Sequence, residues 1–351
     1  MTSLGFASIP ALQQYLKTAE ACGVKVQPLL DQVGLTQTVL ADNRQRISGA
    51  TLQLLLAELI PASADPLFGL HTSAYVQPAS YSVLGYIAMN CATLSEALAK
   101  VPVYEKIVGD MGVTRILQVD QELFAKGEAV AVGNVQVRWQ CGFDDPFVRR
   151  HVIENVLASW TRYSRWVGER QDQSPVCVYL EHARPENTQN EAYVAVFGCP
   201  VHFSQPFSGL EITPQQMQLP IRQADPVLLN TLLEHAAKLL AEIDRDARWS
   251  QRVSNLLRLM IRKELPRKEA VADQLCVTTR TLQRKLEEEG VSYQQVLDQL
   301  RLEMAHDYLS NNSLSVDEIA PMLGFAESRS FHRRFKQWTG LTPGQYRERL
   351  S

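Results

Sequence analysis

Two stretches near the C-terminus, VADQLCVTTRTLQRKLEEEG (271–290) and IAPMLGFAESRSFHRRFKQWTG (319–340), repeat one pattern. Each has the pattern of a short apolar helix, a tight turn and a second helix that is basic on one side. When the two stretches are aligned from the front, their apolar positions pair as Val271 with Ile319, Ala272 with Ala320, Leu275 with Leu323 and Val277 with Phe325. An internal repeat is a strong indicator of architecture. The repeated unit predicts a helix-turn-helix.

The second helix of the first copy predicts a DNA-reading surface. Thr278 can cap this helix, and Leu282 and Leu286 are four residues apart, so both must face the core. The outward side then carries the polar candidates Thr279, Arg280, Gln283 and Arg284. Arginine can donate two hydrogen bonds to guanine, and glutamine can pair with adenine. If this helix stood alone, we would interpret its basic side as a solvent-exposed face rather than a DNA-binding one. Glu287, Glu288 and Glu289 are interpreted as solvent-exposed.

The second copy predicts an equivalent surface. Ser315 and Glu318 form an S-x-x-E capping box, which indicates a helix start, and Gly324 supplies the turn. Phe331 and Phe335 take the places of the two leucines. Arg329, His332 and Arg333 then project outward, and Ser328 and Ser330 are candidate phosphate donors. A single histidine is more often structural than functional, but the repeat places His332 on the outward face.

The segment SYQQVLDQLRLEMAHDYLS (292–310) predicts a long helix between the two copies. About 18 helical residues rise roughly 27 Å at 1.5 Å per residue. A rod of that length can hold two recognition helices about one DNA turn apart, or ~34 Å. We therefore expect one polypeptide to read two successive major grooves.

These features, together with the C-terminal sequence FKQWTGLTPGQYRERL (335–350), resemble the DNA-binding domain of the AraC/XylS family of transcriptional regulators. The resemblance covers about residues 256–350. It implies that bases or phosphates of promoter DNA are contacted by Arg280, Gln283 and Arg284 of the first copy and by Arg329, His332 and Arg333 of the second. The order of elements over about 21–212 also resembles the effector-binding and dimerisation domain of ornithine-utilisation-type members. The resemblance therefore implies a homodimer through the N-terminal domain, a small-molecule effector, and contact with RNA polymerase if the protein is an activator.

Two residues depart from the family pattern. Cys276 stands at the turn position where the family usually has glycine, and a left-handed backbone there would cost about 1 kcal/mol. Pro321 lies inside the helix that starts after Ser315, which predicts a kink or a later start. We expect the first copy to give most of the base readout and the second to contribute more through backbone contact.

The rest of the chain predicts an α+β N-terminal domain, helical first and then a mixed sheet, followed by an all-α C-terminal domain. Predicted elements include a helix from about Pro146 to Val167, strands within 113–119, 129–139 and 176–182, and a helix that ends at Gly198. Ser250 is a candidate cap for a helix over 251–264. The expected domains are 1–220 for effector binding and dimerisation, 221–250 as a linker helix region, and 251–351 for DNA binding, with helix-turn-helix units at 268–290 and 315–340.

Composition limits the function classes. The 351 residues carry a net charge of −3, but 251–351 has 16 Lys and Arg against 13 Asp and Glu, or +3, which leaves −6 for the remainder. This asymmetry is typical of a basic module attached to an acidic one. No apolar run is long enough to span a bilayer, and the N-terminus lacks a leader pattern, so we expect a cytoplasmic protein. The six cysteines lack zinc-site spacing and predict reduced, mostly buried thiols.

Two other functions stay open at this stage. A regulator could respond to another protein rather than to a ligand. An enzyme of the DNA-repair alkyl-transferase class would need a cysteine cluster or a Pro-Cys-His-Arg nucleophile, and GCPVH around Cys199 does not match it. We predict no catalytic residue, metal or cofactor, and the effector-binding residues are unknown. We expect Trp139, Trp160 and Tyr163 to pack in the core. We expect the arginines of the 146–167 helix to face solvent, namely Arg149, Arg150, Arg162 and Arg165.

Overall fold

The hydrophobic side chains gather into two separate cores, one in each unit of the chain. The computed structural model describes residues 4–118, 124–125, 128–129, 133–169, 172–186, 188–245, 249–261, 267–275, 277–310, 314–325 and 327–350. The chain divides into the units Met1–Leu240 and Ala241–Ser351. None of the helices in these ranges is both long enough and apolar enough to cross a bilayer.

The N-terminal unit is helical first and then mixed, which confirms the predicted class. Its first half contains β1 (Phe6–Ser8), α1 (Ile9–Ala21), α2 (Val26–Gln32), α3 (Gln37–Ala41), β2 (Arg46–Ser48), α4 (Gly49–Ala62), α5 (Phe68–Thr72), the 3₁₀ turns Ser73–Tyr75 and Pro78–Tyr81, α6 (Ser82–Asn90) and α7 (Leu94–Val108). Its second half contains β3 (Gly112–Gln118), β4 (Phe124–Ala125), β5 (Glu128–Ala129), β6 (Val135–Cys141), α8 (Pro146–Val167), β7 (Cys177–Tyr179), α9 (Asn190–Phe197), β8 (Val201–His202), β9 (Gly209–Ile212) and α10 (Pro214–Met217). Helix α11 (Pro226–Arg245) follows and crosses the boundary between the units at Leu240.

Helix α8 is the element around which this unit packs. Asp145 accepts hydrogen bonds from the backbone N–H groups of Phe147 and Val148, and Pro146 occupies the first turn, so the start of the helix is fixed locally. One face of α8, which includes the fully buried Val148 and Leu157, enters the core. At Gly69 on α5, a β-carbon would lie 2.0 Å from the carbonyl oxygen of His151. Only glycine therefore permits α5 to approach α8 this closely.

Strands β3, β6, β9, β7 and β8 form a mixed sheet in that order among the described residues. The pairs β3–β6, β6–β9 and β9–β7 are antiparallel, whereas β7 and β8 are parallel. The parallel pair is joined by α9, which ends at Gly198 with a φ of 74°, as predicted. Of the predicted strand 129–139, residues 130–132 lie outside the described ranges.

The expectation that the α8 arginines face solvent is wrong for three of the four. Arg149 donates to the carboxylate of Glu181 and to the carbonyls of Cys141 and Phe143. Arg150 donates to Glu154 and to the carbonyl of Pro66, and Arg165 donates to the carbonyls of Gln173, Val196 and Phe197. These side chains therefore connect α8 to neighbouring loops, to the end of β6 and to the end of α9, and only Arg162 of the four is exposed as expected. Among the described cysteines, Cys22 is exposed and Cys91, Cys141, Cys177 and Cys199 are buried and unpaired.

The C-terminal unit is all-α in the described residues, as predicted. It contains α12 (Trp249–Met260), α13 (Lys268–Gln274), α14 (Thr279–Glu288), α15 (Tyr293–Ser310), α16 (Val316–Met322), α17 (Ser328–Thr339) and α18 (Pro343–Leu350). The predicted cap of α12 is wrong, because α12 begins at Trp249 and Ser250 lies inside it. The last predicted residues of that helix, 262–264, lie outside the described ranges.

Candidate nucleic-acid interface

Helix α14 is fixed by one cap and one buried pair. Thr278 accepts the backbone N–H of Thr281, which starts the helix where the sequence predicts it. Leu282 and Leu286 are fully buried in the C-terminal core. The predicted site residues are therefore turned outward, where Thr279 is half-buried and the longer side chains are exposed, namely Arg280, Gln283 and Arg284.

Two of the exposed side chains on α14 have intramolecular partners. Gln283 accepts a hydrogen bond from Lys268 and donates one to Glu287, and Arg284 donates to Glu288 at 3.1 Å. The Arg284 side chain is 64% exposed, so this surface pair contributes little to stability. The first copy thus presents a basic face whose charges are partly balanced by its own glutamates.

Helix α17 presents the corresponding face of the second copy. Phe331 and Phe335 are fully buried, with ring centroids 5.6 Å apart. Arg329 and Arg333 are exposed, and the half-buried members are Ser328 and His332. The neighbouring Arg334 bonds to Asp298 on α15 and to Gln337, so it is directed away from this face. The structure thus places four of the predicted site residues on each recognition helix.

The turn before α17 is held by an arginine that the sequence analysis did not single out. Arg301 on α15 donates from Nε to the carbonyl of Leu323 and from Nη2 to that of Gly324, both at 2.9 Å. Its guanidinium also lies 4.3 Å from the ring centroid of Phe325. Gly324 has a φ of 69°, the left-handed conformation that glycine favours. Arg301 therefore fixes the turn that aims the second recognition helix.

Glu289 also has a role that sequence reasoning missed. Its carboxylate accepts hydrogen bonds from the backbone N–H groups of Trp249 and Ser250 and from the Ser250 hydroxyl. The interpretation of Glu289 as part of a solvated face is therefore wrong. A carboxylate at a helix N-terminus binds otherwise unpaired N–H groups and complements the helix dipole. The first copy is anchored to α12 in this way.

The two departures from the family pattern have different outcomes. Cys276 lies outside the described residues, so the cost of its turn stays a prediction. The capping box of Ser315 and Glu318 is confirmed, and α16 begins directly after it, so a later helix start caused by Pro321 is wrong. The proline lies one residue before the end of α16, and Leu323 still bonds to the carbonyl of Ile319.

The long helix α15 spans 18 residues, as predicted. Leu300 and Ala305 on its inner side are buried in the C-terminal core. Arg347 of α18 donates to the carbonyls of Leu309 and Leu314 and so holds the end of α15 and the start of the second copy together. Both helix-turn-helix units are therefore attached to one helix.

Sequence comparison matches both units to known families. A family described as "Arabinose-binding domain of AraC transcription regulator" matches residues 23–221, and a helix-turn-helix domain family matches residues 271–349. The Ornithine utilization regulator of Pseudomonas aeruginosa is 28% identical over 330 residues, which cover 93% of this chain and 91% of that protein. The regulator VirS of Mycobacterium tuberculosis is 31% identical over 191 residues, covering 54% of this chain and 55% of VirS.

Among solved structures, the transcriptional regulator CdpR from Pseudomonas aeruginosa is similar over 92% of this chain and 96% of its own. The identity is 22% and the TM-score is 0.44.

Proposed function

We propose that this chain, which belongs to the family of AraC-type transcription regulators, binds promoter DNA through the outward residues of α14 and α17. The chain is a helix-turn-helix DNA-binding regulator, as its relatives are transcriptional regulators. The finer proposal assigns the contacts to Thr279, Arg280, Gln283, Arg284, Ser328, Arg329, His332 and Arg333.

One observation carries this assignment. In each copy a buried apolar pair, Leu282 with Leu286 or Phe331 with Phe335, forces the basic residues of the same helix outward. A side chain that reads a base edge must be exposed on a helix whose opposite face is packed. Arg280, Arg329 and Arg333 meet this condition, and the described residues offer none of them an ion-pair partner.

We assign the other roles as follows. Residues 1–220 form the effector-binding and dimerisation domain, 221–250 the linker region and 251–351 the DNA-binding domain. The N-terminal domain binds a small molecule that changes the affinity for DNA, and an activating role includes contact with RNA polymerase. Because the Pseudomonas aeruginosa relative is named for ornithine utilisation, L-ornithine is one compound to be tested as an effector. The protein acts in the cytoplasm and uses no catalytic residue or cofactor.

The DNA contacts are tested by single arginine substitutions. Binding sites are first selected from a random duplex library with the full chain. Arg280→Ala and Arg333→Ala are each expected to weaken binding to the selected site by about 1–3 kcal/mol, because each removes a bidentate base contact. If the sequence expectation holds, Arg280→Ala relaxes base preference more than Arg333→Ala does. Competition with duplexes mutated at each base pair measures both effects.

The matched control for these variants is Arg162→Ala. Arg162 is exposed on α8 in the N-terminal unit, so its loss removes one charge without touching either recognition helix. It should leave affinity and base preference unchanged. If Arg280→Ala and Arg333→Ala keep the base preference of the unmodified protein, the assignment of base contacts is wrong.

The dimer is tested by the mass of the free protein. Two double helix-turn-helix modules in one dimer would favour direct or inverted repeats of a site, each spanning about two DNA turns. We expect a homodimer at micromolar concentration, measured by sedimentation velocity of the full chain, and selected DNA sites that occur as repeats. A monomer at every concentration that binds single sites would contradict this proposal.

A further inference from the structure

The N-terminal unit contains a cavity of about 110 Å³ between α6, α7, α8 and the sheet. Its walls include Leu84 on α6, Leu98 on α7, Val137 on β6 and Leu210 on β9. The cavity is partly open to the surface, and its wall is almost entirely apolar. Such a wall favours small apolar molecules over water. Its half-exposed wall residues are spread over the turn at Tyr81, α6, α7, α8, the segment 173–175 and α10.

The polar groups of the wall are mostly satisfied within the protein. Tyr163 donates to the carbonyl of Gly85, Thr161 to that of Leu157, and Gln216 to that of Ser174. The exception is Tyr81, whose hydroxyl is buried without a hydrogen-bond partner among the described residues. The Ser159 hydroxyl, which donates to Asn155, lies near it but outside hydrogen-bonding geometry. A buried donor without a partner is unfavourable, so the Tyr81 hydroxyl is available to a ligand atom.

No Asp, Glu, Lys, Arg or His contributes to the described wall of this cavity. Arg165 follows the wall residue Ser164, and its guanidinium is engaged by backbone carbonyls and by Ser174. An ion buried without a partner is strongly disfavoured. The wall therefore discriminates against carboxylates and against zwitterions such as ornithine.

The backbone beside the cavity is strained. Ser82, which follows Tyr81, has a φ of 52° and a ψ of −142°, which is a rare conformation for a residue with a side chain. At Gly85 a β-carbon would lie 2.1 Å from the carbonyl oxygen of Pro78. The turn that carries Tyr81 is thus held by its packing in one conformation. Strain of this kind is typical of ligand clamps.

We propose that this cavity binds a small, neutral, apolar molecule of about the size of one aromatic ring or a short alkyl chain, with one oxygen that accepts a hydrogen bond from Tyr81. The inference rests on the proposed function, since it names the chemical class of the effector. It separates this chain from any regulator whose effector is a charged amino acid.

The test compares thermal unfolding of the full chain with 1-hexanol, toluene, hexanoate and L-ornithine. Hexanol and toluene are expected to raise the melting temperature, because a ligand of the folded state stabilises it, whereas hexanoate and ornithine leave it unchanged. Ala97→Leu fills the cavity and abolishes the shift without lowering the starting melting temperature. The matched control is Ala99→Leu, at an exposed position of the same helix, which keeps the shift.

Tyr81→Phe keeps the aromatic ring and removes only the hydroxyl, so it tests the proposed hydrogen bond to the ligand even if Ala97→Leu fails to fold. It should reduce the shift caused by hexanol and leave that caused by toluene. The inference is overturned if ornithine or hexanoate stabilises the protein and hexanol does not, or if Ala97→Leu and Ala99→Leu respond alike. Binding of the selected DNA is measured in parallel. Retained DNA binding with no response to the apolar probes overturns only the cavity assignment, whereas absent DNA binding overturns the proposed function.

Discussion

Replacing Arg301 by methionine is expected to lower the free energy of unfolding of the C-terminal unit by about 3–6 kcal/mol. Arg301 is only 7% exposed and donates two hydrogen bonds to carbonyls in the turn before α17. Hydrogen bonds from a charged group contribute about 1.5–3 kcal/mol each, and methionine would leave both carbonyls without that donor. Urea unfolding of the full chain measures the loss.

The same substitution is expected to weaken binding to the selected DNA at least about tenfold, since a loss of 1.4 kcal/mol already has that effect. The reason is that the turn positions Arg329 and Arg333. Arg334→Met is the matched control, because Arg334 also bonds to a residue of α15, Asp298, but makes no contact with the carbonyls of the turn before α17. Arg301→Lys should lie between the two, since lysine keeps the charge but cannot reach both carbonyls in a fork. Equal losses for Arg301→Met and Arg334→Met would disprove the role of Arg301.

Local signals in the sequence predicted those elements whose ends are set by their own residues. Helix α8 begins at Pro146 because Asp145 precedes it, and α16 begins after Ser315 because Glu318 completes the capping box. The outward faces of α14 and α17 were also predictable. Each helix has two apolar residues four positions apart, and when these are buried the polar residues between them must lie on the opposite, exposed side.

Contacts between distant parts of the chain were not predictable in this way. Arg301 binds carbonyls 22 and 23 residues away, and Glu289 caps a helix that starts 40 residues earlier. A prediction from hydrophobic periodicity places a charged residue on the solvent-exposed face, because burying an unpaired charge is costly. One signal was present for Arg301: it lies in the apolar stripe formed by Leu297, Met304 and Tyr308. A charge within such a stripe predicts a buried partner.

The buried carboxyl group of Glu154 is expected to make the free energy of unfolding depend on pH. Its side chain on α8 is fully buried and accepts a hydrogen bond from Tyr193 at 2.6 Å. Arg150 lies 3.3 Å away, and His151 and His182 each lie 3.6 Å away. Burial raises the pKa of Glu154 from 4.5 to about 7, although Arg150 and Tyr193 lower it. Asp65 raises it further through its charge.

The raised pKa of Glu154 determines whether stability rises or falls with pH. A carboxyl group with a raised folded-state pKa favours the folded state below pH 4.5, and this contribution disappears as the pH rises through about 7. His151 acts in the opposite sense, because burial and the Arg150 charge lower its pKa from 6.5 to about 3. Its contribution is present above pH 6.5 and disappears as the pH falls towards 3. The two groups together therefore favour an intermediate pH.

Glu154→Gln should consequently become more stable relative to the unmodified protein as the pH rises from 5 to 8. Glutamine can accept from Tyr193 as the neutral acid does, but it does not ionise. A full shift of this carboxyl corresponds to a change on the order of 3 kcal/mol in the difference between the two proteins. Urea unfolding of the full chain at pH 5 and pH 8 measures this change. Glu20→Gln, at an exposed position of α1, is the control and should show the same difference at both pH values. If the difference for Glu154→Gln is also constant, Glu154 does not change its charge in this range, and its buried contacts with Arg150 and the two histidines must hold it in a single protonation state.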